Sequence, residues 1–304
     1  MQYNRSVIAQ NTSIAASQVI TLDLPVNPLS HLMVNLQGLN VTDEATLAQI
    51  LARMTKIEVL HRGASIFSMS GTDTHALNAI YFGQMPILTN QIATDNATRN
   101  VTLIVPFGRK LYNPEECFPA TRKGELQLQI TFSASEAEID NLVLQVEAIE
   151  LFGAAPKQFL KLTTLTKTPT ATGDLDIDLP INNRLAGITV FSTTVPTTTA
   201  TTKTVNSVKM LADNKENMFS LSNWESLHGE LLNRIGHREG YDGSADNDDI
   251  RQYAHMDFSP ERSDEFLVDT KGFANLKLRV NAGDTNVLRL FPWEMVLSTE
   301  DISN

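Results

Sequence analysis

The composition of this chain excludes several classes of protein. Its 304 residues are 42% hydrophobic and 19% charged, which is enough apolar side chain for two cores and too little charge for a disordered chain. The net charge of −11 opposes contact with a phosphate backbone, so we expect no direct nucleic-acid partner. The single cysteine, Cys117, excludes an intrachain disulfide and a cysteine-rich zinc site.

No membrane-spanning segment is expected, because the apolar runs are far shorter than the ~20 residues needed to cross a bilayer. No secretory signal is visible at the start, where Gln10 to Ser13 interrupt any apolar stretch. Residues 1–17 carry Arg5 as their only charged side chain. One expectation for this segment is a loose terminus.

Short segments rich in β-branched or apolar residues, bounded by Gly, Pro, Asn or Asp, predict strands through the rest of the first half. They are Val19 to Leu24, Leu32 to Leu39, Ile57 to Leu60, Ala64 to Met69, Val101 to Val105, Leu126 to Phe132 and Leu142 to Leu151. One further segment, Thr42 to Met54, predicts a helix that Thr42 can cap. Its helically spaced apolar residues are Leu47, Ile50, Leu51 and Met54.

The second half repeats the first. Asp23-Leu24-Pro25-Val26-Asn27 is matched 155 residues later by Asp178-Leu179-Pro180-Ile181-Asn182. Four further matches follow in the same order. They pair Ile57 to Ser70 with Val208 to Ser222, Arg99 to Arg109 with Arg251 to Arg262, Leu126 to Ile130 with Leu276 to Val280, and Leu142 to Leu151 with Leu288 to Leu297. Five colinear matches predict two copies of one fold. We expect domains at 1–153 and 157–304, joined by a linker at Gly153 to Pro156.

A second helix is predicted at the same place in each copy. Ser70 with Asp73, and Ser222 with Glu225, are Ser–acid pairs that can satisfy free N–H groups at a helix start. The residues that follow each pair make one apolar helical face. They are Leu77, Ile80 and Tyr81 in the first copy, and Trp224, Leu227, Leu231, Leu232 and Ile235 in the second.

The two copies diverge in two exposed connections. Thr193 to Thr204, the counterpart of the Thr42 to Met54 helix, has eight Thr among twelve residues and cannot form that helix. Glu239 to Asp249 is a polar, Gly-containing stretch. Its carboxylates could surround a calcium ion, although a solvated acidic loop is the simpler interpretation. They belong to Asp242, Asp246, Asp248 and Asp249.

No residue is assigned to a catalytic, cofactor-binding or metal site, and we predict that the chain is not an enzyme. The histidines lack the spacing that places two imidazoles on one metal. They are His31, His61, His75, His228, His237 and His255. His228 and Glu230 lie two residues apart on a predicted helix and do not face each other. Cys117 has no adjacent His and no basic neighbour closer than Arg122.

Two successive β-sandwiches with inserted helices and no catalytic constellation resemble the double jelly-roll major capsid proteins. These form the shells of tailless icosahedral phages with an internal membrane, the corticovirus and tectivirus-like lineage. The N-terminal half is the closer match, through Asp23-Leu24-Pro25, Ile57 to Leu60, Val105 to Gly108 and onward to Leu151. The resemblance implies an all-β chain of two tandem jelly-roll β-sandwiches, each with a short inserted helix.

The resemblance also implies a structural virion protein. It would form a homotrimer whose six jelly rolls make a nearly hexagonal capsomer, and capsomers would assemble an icosahedral shell. Neighbouring capsomers, the internal viral membrane and minor capsid proteins would be its partners, and residues 1–17 would lie near the membrane or a neighbouring capsomer. It would be made in the host cytoplasm and located in the virion capsid, with Thr193 to Thr204 and Glu239 to Asp249 at the exposed top.

Two alternatives belong to other classes. One is a tandem sandwich that binds a carbohydrate or a receptor, as a spike or vertex protein does. Such modules usually expose aromatic side chains in loops, and the aromatic content here is only 7%. The other is an enzyme on a jelly-roll scaffold, which the spacing of the histidines disfavours.

Overall fold

The computed structural model describes residues 1–41, 45–84, 94–134, 138–197, 199–236 and 250–298. Strands make up most of the regular structure in these residues. The chain divides into two compact units. The first comprises Met1–Tyr81, Met85–Thr163 and Val296–Asn304, and the second comprises Phe82–Gln84 and Thr164–Met295.

The first part of the chain forms a jelly roll. Its elements are β1 (Gln2–Ser13), β2 (Val19–Asp23), β3 (Leu29–Asn40), α1 (Leu47–Ala52), β4 (Met54–His61), β5 (Ala64–Met69), α2 (Gly71–Phe82), β6 (Thr98–Pro106), β7 (Leu126–Phe132), β8 (Ile139–Phe152) and β9 (Gln158–Thr163). One antiparallel sheet has the order β1-β8-β3-β6 and the other the order β2-β7-β4-β5. Eight strands in this order make the two Greek keys of a jelly roll. β9 adds to β5 in parallel.

The second part repeats this strand order. Its elements are β10 (Leu165–Lys167), β11 (Gly173–Asp178), β12 (Arg184–Ser192), β13 (Val205–Ala212), β14 (Lys215–Glu216), β15 (Ser222–Asn223), α3 (Trp224–Ile235), β16 (Tyr253–Asp257), a 3-10 turn (Pro260–Arg262), β17 (Val268–Asp269), β18 (Leu276–Ala282) and β19 (Leu288–Leu297). β10, β19, β12 and β16 are neighbours in that order, and the other sheet has the order β11-β18-β13-β14, with β15 also paired to β13. The predicted duplication is therefore confirmed at the level of topology.

Alternating apolar residues fill each core. In β7 and β18, which occupy equivalent places, every second side chain is buried and the side chains between them are half-buried. The buried ones are Leu126, Leu128, Ile130 and Phe132 in β7, and Leu276, Leu278, Val280 and Ala282 in β18. This period of two is what a sheet with one face on a core requires. The matched Asp-Leu-Pro turns also occupy equivalent places, at the ends of β2 and β11.

The first helix is shorter than predicted. α1 begins after Thr46, whose side-chain oxygen accepts the N–H of Gln49 at 3.2 Å, while the Gln49 side chain accepts the Thr46 N–H at 2.7 Å. This reciprocal pair supplies the N-cap. Met54 already belongs to β4 and is not helical, because it pairs with Phe132 of β7. The predicted cap, Thr42, lies outside the described residues.

The capping prediction is right for α2 and wrong for α3. Ser70 Oγ accepts the N–H of Asp73 at 3.1 Å and donates to its carboxylate at 2.7 Å. Ser222 instead pairs with Val208 as part of β15, so α3 starts one residue later than its sequence pattern suggests. Asn223 occupies the N-cap position and makes no side-chain capping bond. Both helices nevertheless lie between equivalent strands, as predicted.

The N-terminal segment is a strand and not a loose terminus. β1 pairs with β8 along most of its length, from Gln2 opposite Phe152 to Ser13 opposite Val143. The predicted linker, residues 153–156, lies between β8 and β9. The compact units divide between Thr163 and Thr164. A domain boundary at 153–157 stays a prediction, since it rests on the sequence repeat.

Candidate assembly interface

The described part of the chain contains no cluster of three or more His, Cys, Asp or Glu side chains arranged to hold a metal ion. His237 and the acidic stretch Glu239 to Asp249 lie outside the described residues, so the calcium hypothesis stays untested. No helix among the described segments is long and apolar enough to span a membrane. That the chain lacks catalytic, cofactor and metal sites stays a prediction.

Five of the histidines weighed as ligands lie in the described structure, and all five are buried: His31, His61, His75, His228 and His255. His228 lies on α3, where its Nδ1 is 2.6 Å from the carbonyl oxygen of Tyr253 and its ring stacks on Trp224 with centroids 5.8 Å apart. His31 Nδ1 lies 2.9 Å from Ser30 Oγ, and this oxygen also accepts the backbone N–H of Tyr112 at 2.7 Å. These contacts are structural, since they hold loops and helices against strands.

Burial keeps three titratable groups neutral. It lowers the pKa of His31 to about 4, with a smaller contribution from the positive charge of Arg5. Burial also lowers the pKa of His255 to about 4. Burial raises the pKa of the Cys117 thiol to about 12, so this thiol is protonated at neutral pH and is a poor nucleophile.

The feature that fits a functional surface is the edge strand β1. It is the terminal strand of its sheet, and no strand of the described structure pairs with its outer edge. Long edge strands with exposed apolar side chains promote contact with other chains. β1 has two irregularities of register, between Val7 and Ala9 and between Ala9 and Thr12. Such bulges increase twist and limit uncontrolled pairing of edges.

Polar contacts fix β1 on its sheet. Arg5 forms an ion pair with Glu147 of β8, and this contact lowers the pKa of the Glu147 carboxyl below its ordinary value. Glu150 accepts hydrogen bonds from the Ser6 hydroxyl and, at 2.6 Å, from Asn27. Because β1 is held in place, its outward side chains form a preorganised surface and lose little conformational freedom on association.

Apolar and aromatic side chains are exposed along this edge. Tyr3 is 60% exposed, Val7 53% and Met1 77%. Tyr112, from the connection between β6 and β7, is 48% exposed and packs edge-on against Tyr3 with ring centroids 5.4 Å apart. We call these four residues the β1 surface. Tyrosine is enriched in protein interfaces because it combines a large apolar ring with a polar tip.

Sequence reasoning did not single out the β1 surface. The signal that could have found it is the pair Tyr3 and Val7, two large apolar residues four positions apart in a mostly polar segment. Thr193 to Thr204, predicted to be an exposed connection, joins β12 and β13. Thr193, Thr197 and Thr199 are exposed there, while Thr204 is buried.

Comparison with solved structures identifies the architecture. The major capsid protein of bacteriophage PM2 superposes with a TM-score of 0.67 at 14% identity, covering 97% of this chain and 98% of that one. The major capsid protein of Sulfolobus turreted icosahedral virus gives a TM-score of 0.72 at 13% identity over 100% of this chain and 99% of that one. The chain has the double jelly-roll fold.

A third similar structure extends this fold to another virus. VP54 of PBCV-1 gives a TM-score of 0.66 at 11% identity, covering 97% of this chain and 94% of that one. No protein-family model matches the sequence, and no curated protein matches it. The predicted fold class, two tandem jelly-roll sandwiches with short inserted helices, is confirmed.

Proposed function

We propose that this protein is a major capsid protein that trimerises into pseudo-hexagonal capsomers and assembles an icosahedral shell. The observation that carries the proposal is the full-length match of both jelly rolls to viral major capsid proteins, up to 100% of this chain and 99% of the other. A duplicated sandwich suits this task, because three copies of a two-domain chain offer six similar faces. Six such faces approximate the symmetry of a hexagonal sheet, and closure then limits growth.

The contacts inside the trimer are assigned to the sides of the sandwiches, with the β1 surface as one contributor. Tyr3 and Tyr112 would supply aromatic anchors, and the outer edge of β1 would supply backbone hydrogen-bonding groups. We expect these contacts to bury more than about 2,000 Å², as obligate interfaces do. Contacts between capsomers should be smaller, under about 1,200 Å², so that assembly can correct errors.

The remaining parts of the proposal concern location and partners. The protein would be made in the host cytoplasm and reside in the virion capsid, with neighbouring capsomers, an internal membrane and minor capsid proteins as partners. It would have no enzymatic role. Its net charge of −11 fits a shell that does not neutralise the genome.

Analytical ultracentrifugation and electron microscopy of the purified protein test this function. The expected result is a stable trimer that forms closed shells or hexagonal sheets as protein concentration rises. A protein that stays monomeric at every concentration and binds a glycan or a cell-surface receptor would support the carbohydrate- or receptor-binding alternative instead.

A further inference from the structure

A cleft of about 230 Å³ lies in the first unit, between the β4–β5 turn and the segment that precedes β7. The turn contributes His61 and Arg62, and the segment contributes Thr121, Arg122 and Glu125. α1 joins β3 to β4 and α2 joins β5 to β6, so both helices lie at the opposite end of β4 and β5 from this turn. The cleft therefore lies at the end of the jelly roll away from its two helices.

The cleft contains two cations and one anion. Glu125 accepts a hydrogen bond from the Arg62 guanidinium at 3.2 Å and from the backbone N–H of Arg122 at 3.0 Å. These contacts, the backbone bond first, hold the pKa of Glu125 below its ordinary value, so its carboxylate offsets the charge of Arg62. The charge of Arg122 also contributes to the lowered pKa of Glu125, but its guanidinium donates no hydrogen bond to a described residue, so its N–H donors are available to a ligand.

A hydroxyl in the same wall also lacks a partner. Thr121 Oγ1 is buried and makes no hydrogen bond within the described structure. Its backbone is fixed, since the Thr121 N–H donates to the carbonyl of Val26 at 2.9 Å. A buried hydroxyl without a partner is unfavourable, and rotation of the Thr121 side chain about χ1 toward a ligand oxygen in the cleft would relieve this cost.

We propose that this cleft binds a phosphate group. Arg122 offers a planar fork of N–H donors, which matches a phosphate, and Thr121 offers a separate hydroxyl donor. A carboxylate would occupy the guanidinium with its two oxygens and leave the hydroxyl unpaired, whereas a tetrahedral phosphate has further oxygens for it. The volume leaves room for a small ester group beyond the phosphate. This inference does not depend on the capsid function.

Calorimetric titration with inorganic phosphate and with glycerol 3-phosphate tests the site in the purified full chain. Arg122→Gln should weaken binding at least about tenfold, and Thr121→Val, which keeps the side-chain shape, should weaken it several-fold. Lys123→Gln is the matched control, since Lys123 is exposed on the same turn but does not line the cleft. It should change the affinity less than about twofold.

A fourth variant tests whether the negative charge of Glu125 opposes phosphate binding in the cleft. Glu125→Gln removes the negative charge and keeps one of the two acceptor oxygens, so phosphate should bind several-fold more tightly. Thermal unfolding establishes that each variant is folded. Wild-type protein that does not bind either phosphate, or Arg122→Gln and Lys123→Gln with equal affinities, would overturn the proposal.

Vesicles distinguish the two sources of the phosphate. If the wild-type protein and Lys123→Gln cosediment with phosphatidylglycerol vesicles and Arg122→Gln does not, the result supports the site and identifies its ligand as a lipid headgroup. Binding of the soluble phosphates without cosedimentation would support the site and assign a soluble ligand. Cosedimentation that survives Arg122→Gln, in a protein that binds neither soluble phosphate, would contradict it.

Discussion

Gly187 on β12 lies directly against the imidazole ring of His255 on β16. A Cβ at Gly187 would lie 2.8 Å from His255 Cε1 and 2.9 Å from the carbonyl oxygen of Met256. The ring cannot easily move away, because His255 Nδ1 is hydrogen-bonded to Thr189 Oγ1 at 3.0 Å, and the Trp293 indole donates to the same oxygen at 3.0 Å. Glycine is therefore required here by the packing of a neighbouring strand.

Gly187→Ala should destabilise the protein by about 1–3 kcal/mol, since both the ring and the backbone would have to shift. Gly229→Ala is the matched control. A Cβ at Gly229 meets nothing within 4 Å, so in the helix α3 alanine should stabilise by about 0.5–1 kcal/mol. Equilibrium denaturation in urea measures both effects. A stability change of the same sign in the two variants would contradict the packing argument.

Acidification should destabilise the protein before its carboxylates titrate. His31 and His255 have pKa values of about 4, below the ordinary 6.5, so the unfolded chain binds protons first as the pH falls. Stability is complete above pH 6.5 and is lost progressively as the pH falls toward 4, by roughly 3 kcal/mol for His31 and in the same direction for His255. The free energy of unfolding measured between pH 7 and pH 4.5 should fall. In His31→Gln the slope should be shallower, and an unchanged slope would exclude His31 as a contributor.

The two helix caps should respond differently to the same change. Ser70→Ala removes the oxygen that accepts the Asp73 N–H and should cost about 1 kcal/mol. Asn223→Ala, at the N-cap position of α3, should cost much less because Asn223 makes no capping bond there. Thermal or chemical unfolding of the two variants gives the comparison, and equal losses would show that the observed cap bond is not what stabilises α2.

A buried ion pair should be costly to break on one side. Arg109 and Glu116 are both buried, and Glu116 also accepts a hydrogen bond from Gln158 at 3.0 Å. Arg109→Met should destabilise by about 3–5 kcal/mol, because it leaves the carboxylate buried without its cation. Adding Glu116→Gln to that variant should restore part of the loss. A double-mutant cycle measures the coupling, and strictly additive effects would mean that the two charges do not interact.

The β1 surface should matter for association and little for folding. Tyr3→Ser combined with Val7→Ser is expected to shift the proposed trimer toward monomer in sedimentation velocity, because it removes exposed apolar side chains from a proposed contact. Gln10→Ser, which shortens an exposed polar side chain on the same strand, is the control and should leave the sedimentation coefficient unchanged. If both variants sediment as the wild-type protein does, the β1 surface is not part of the interface.

The sequence by itself determined the strands whose own side chains alternate. The bounds of β7 agree with the prediction at both ends, because every second residue of β7 is buried and turn residues flank the strand. The helix cap at Ser70 could also be predicted from the sequence, because its partner Asp73 lies three residues away. Local spacing also revealed the duplication, because both copies need the same alternating pattern to fill the same kind of core.

Only the tertiary structure decided features that depend on a distant segment. β1 has no regular burial pattern of its own and is a strand because β8 pairs with it. Ser222 is in a strand because Val208 lies opposite it. The cleft between Arg62 and Arg122 exists because β4 pairs with β7, which places His61 opposite Leu126. Strand pairing joins residues that are far apart in the chain, and a short sequence pattern does not specify which other segment it will pair with.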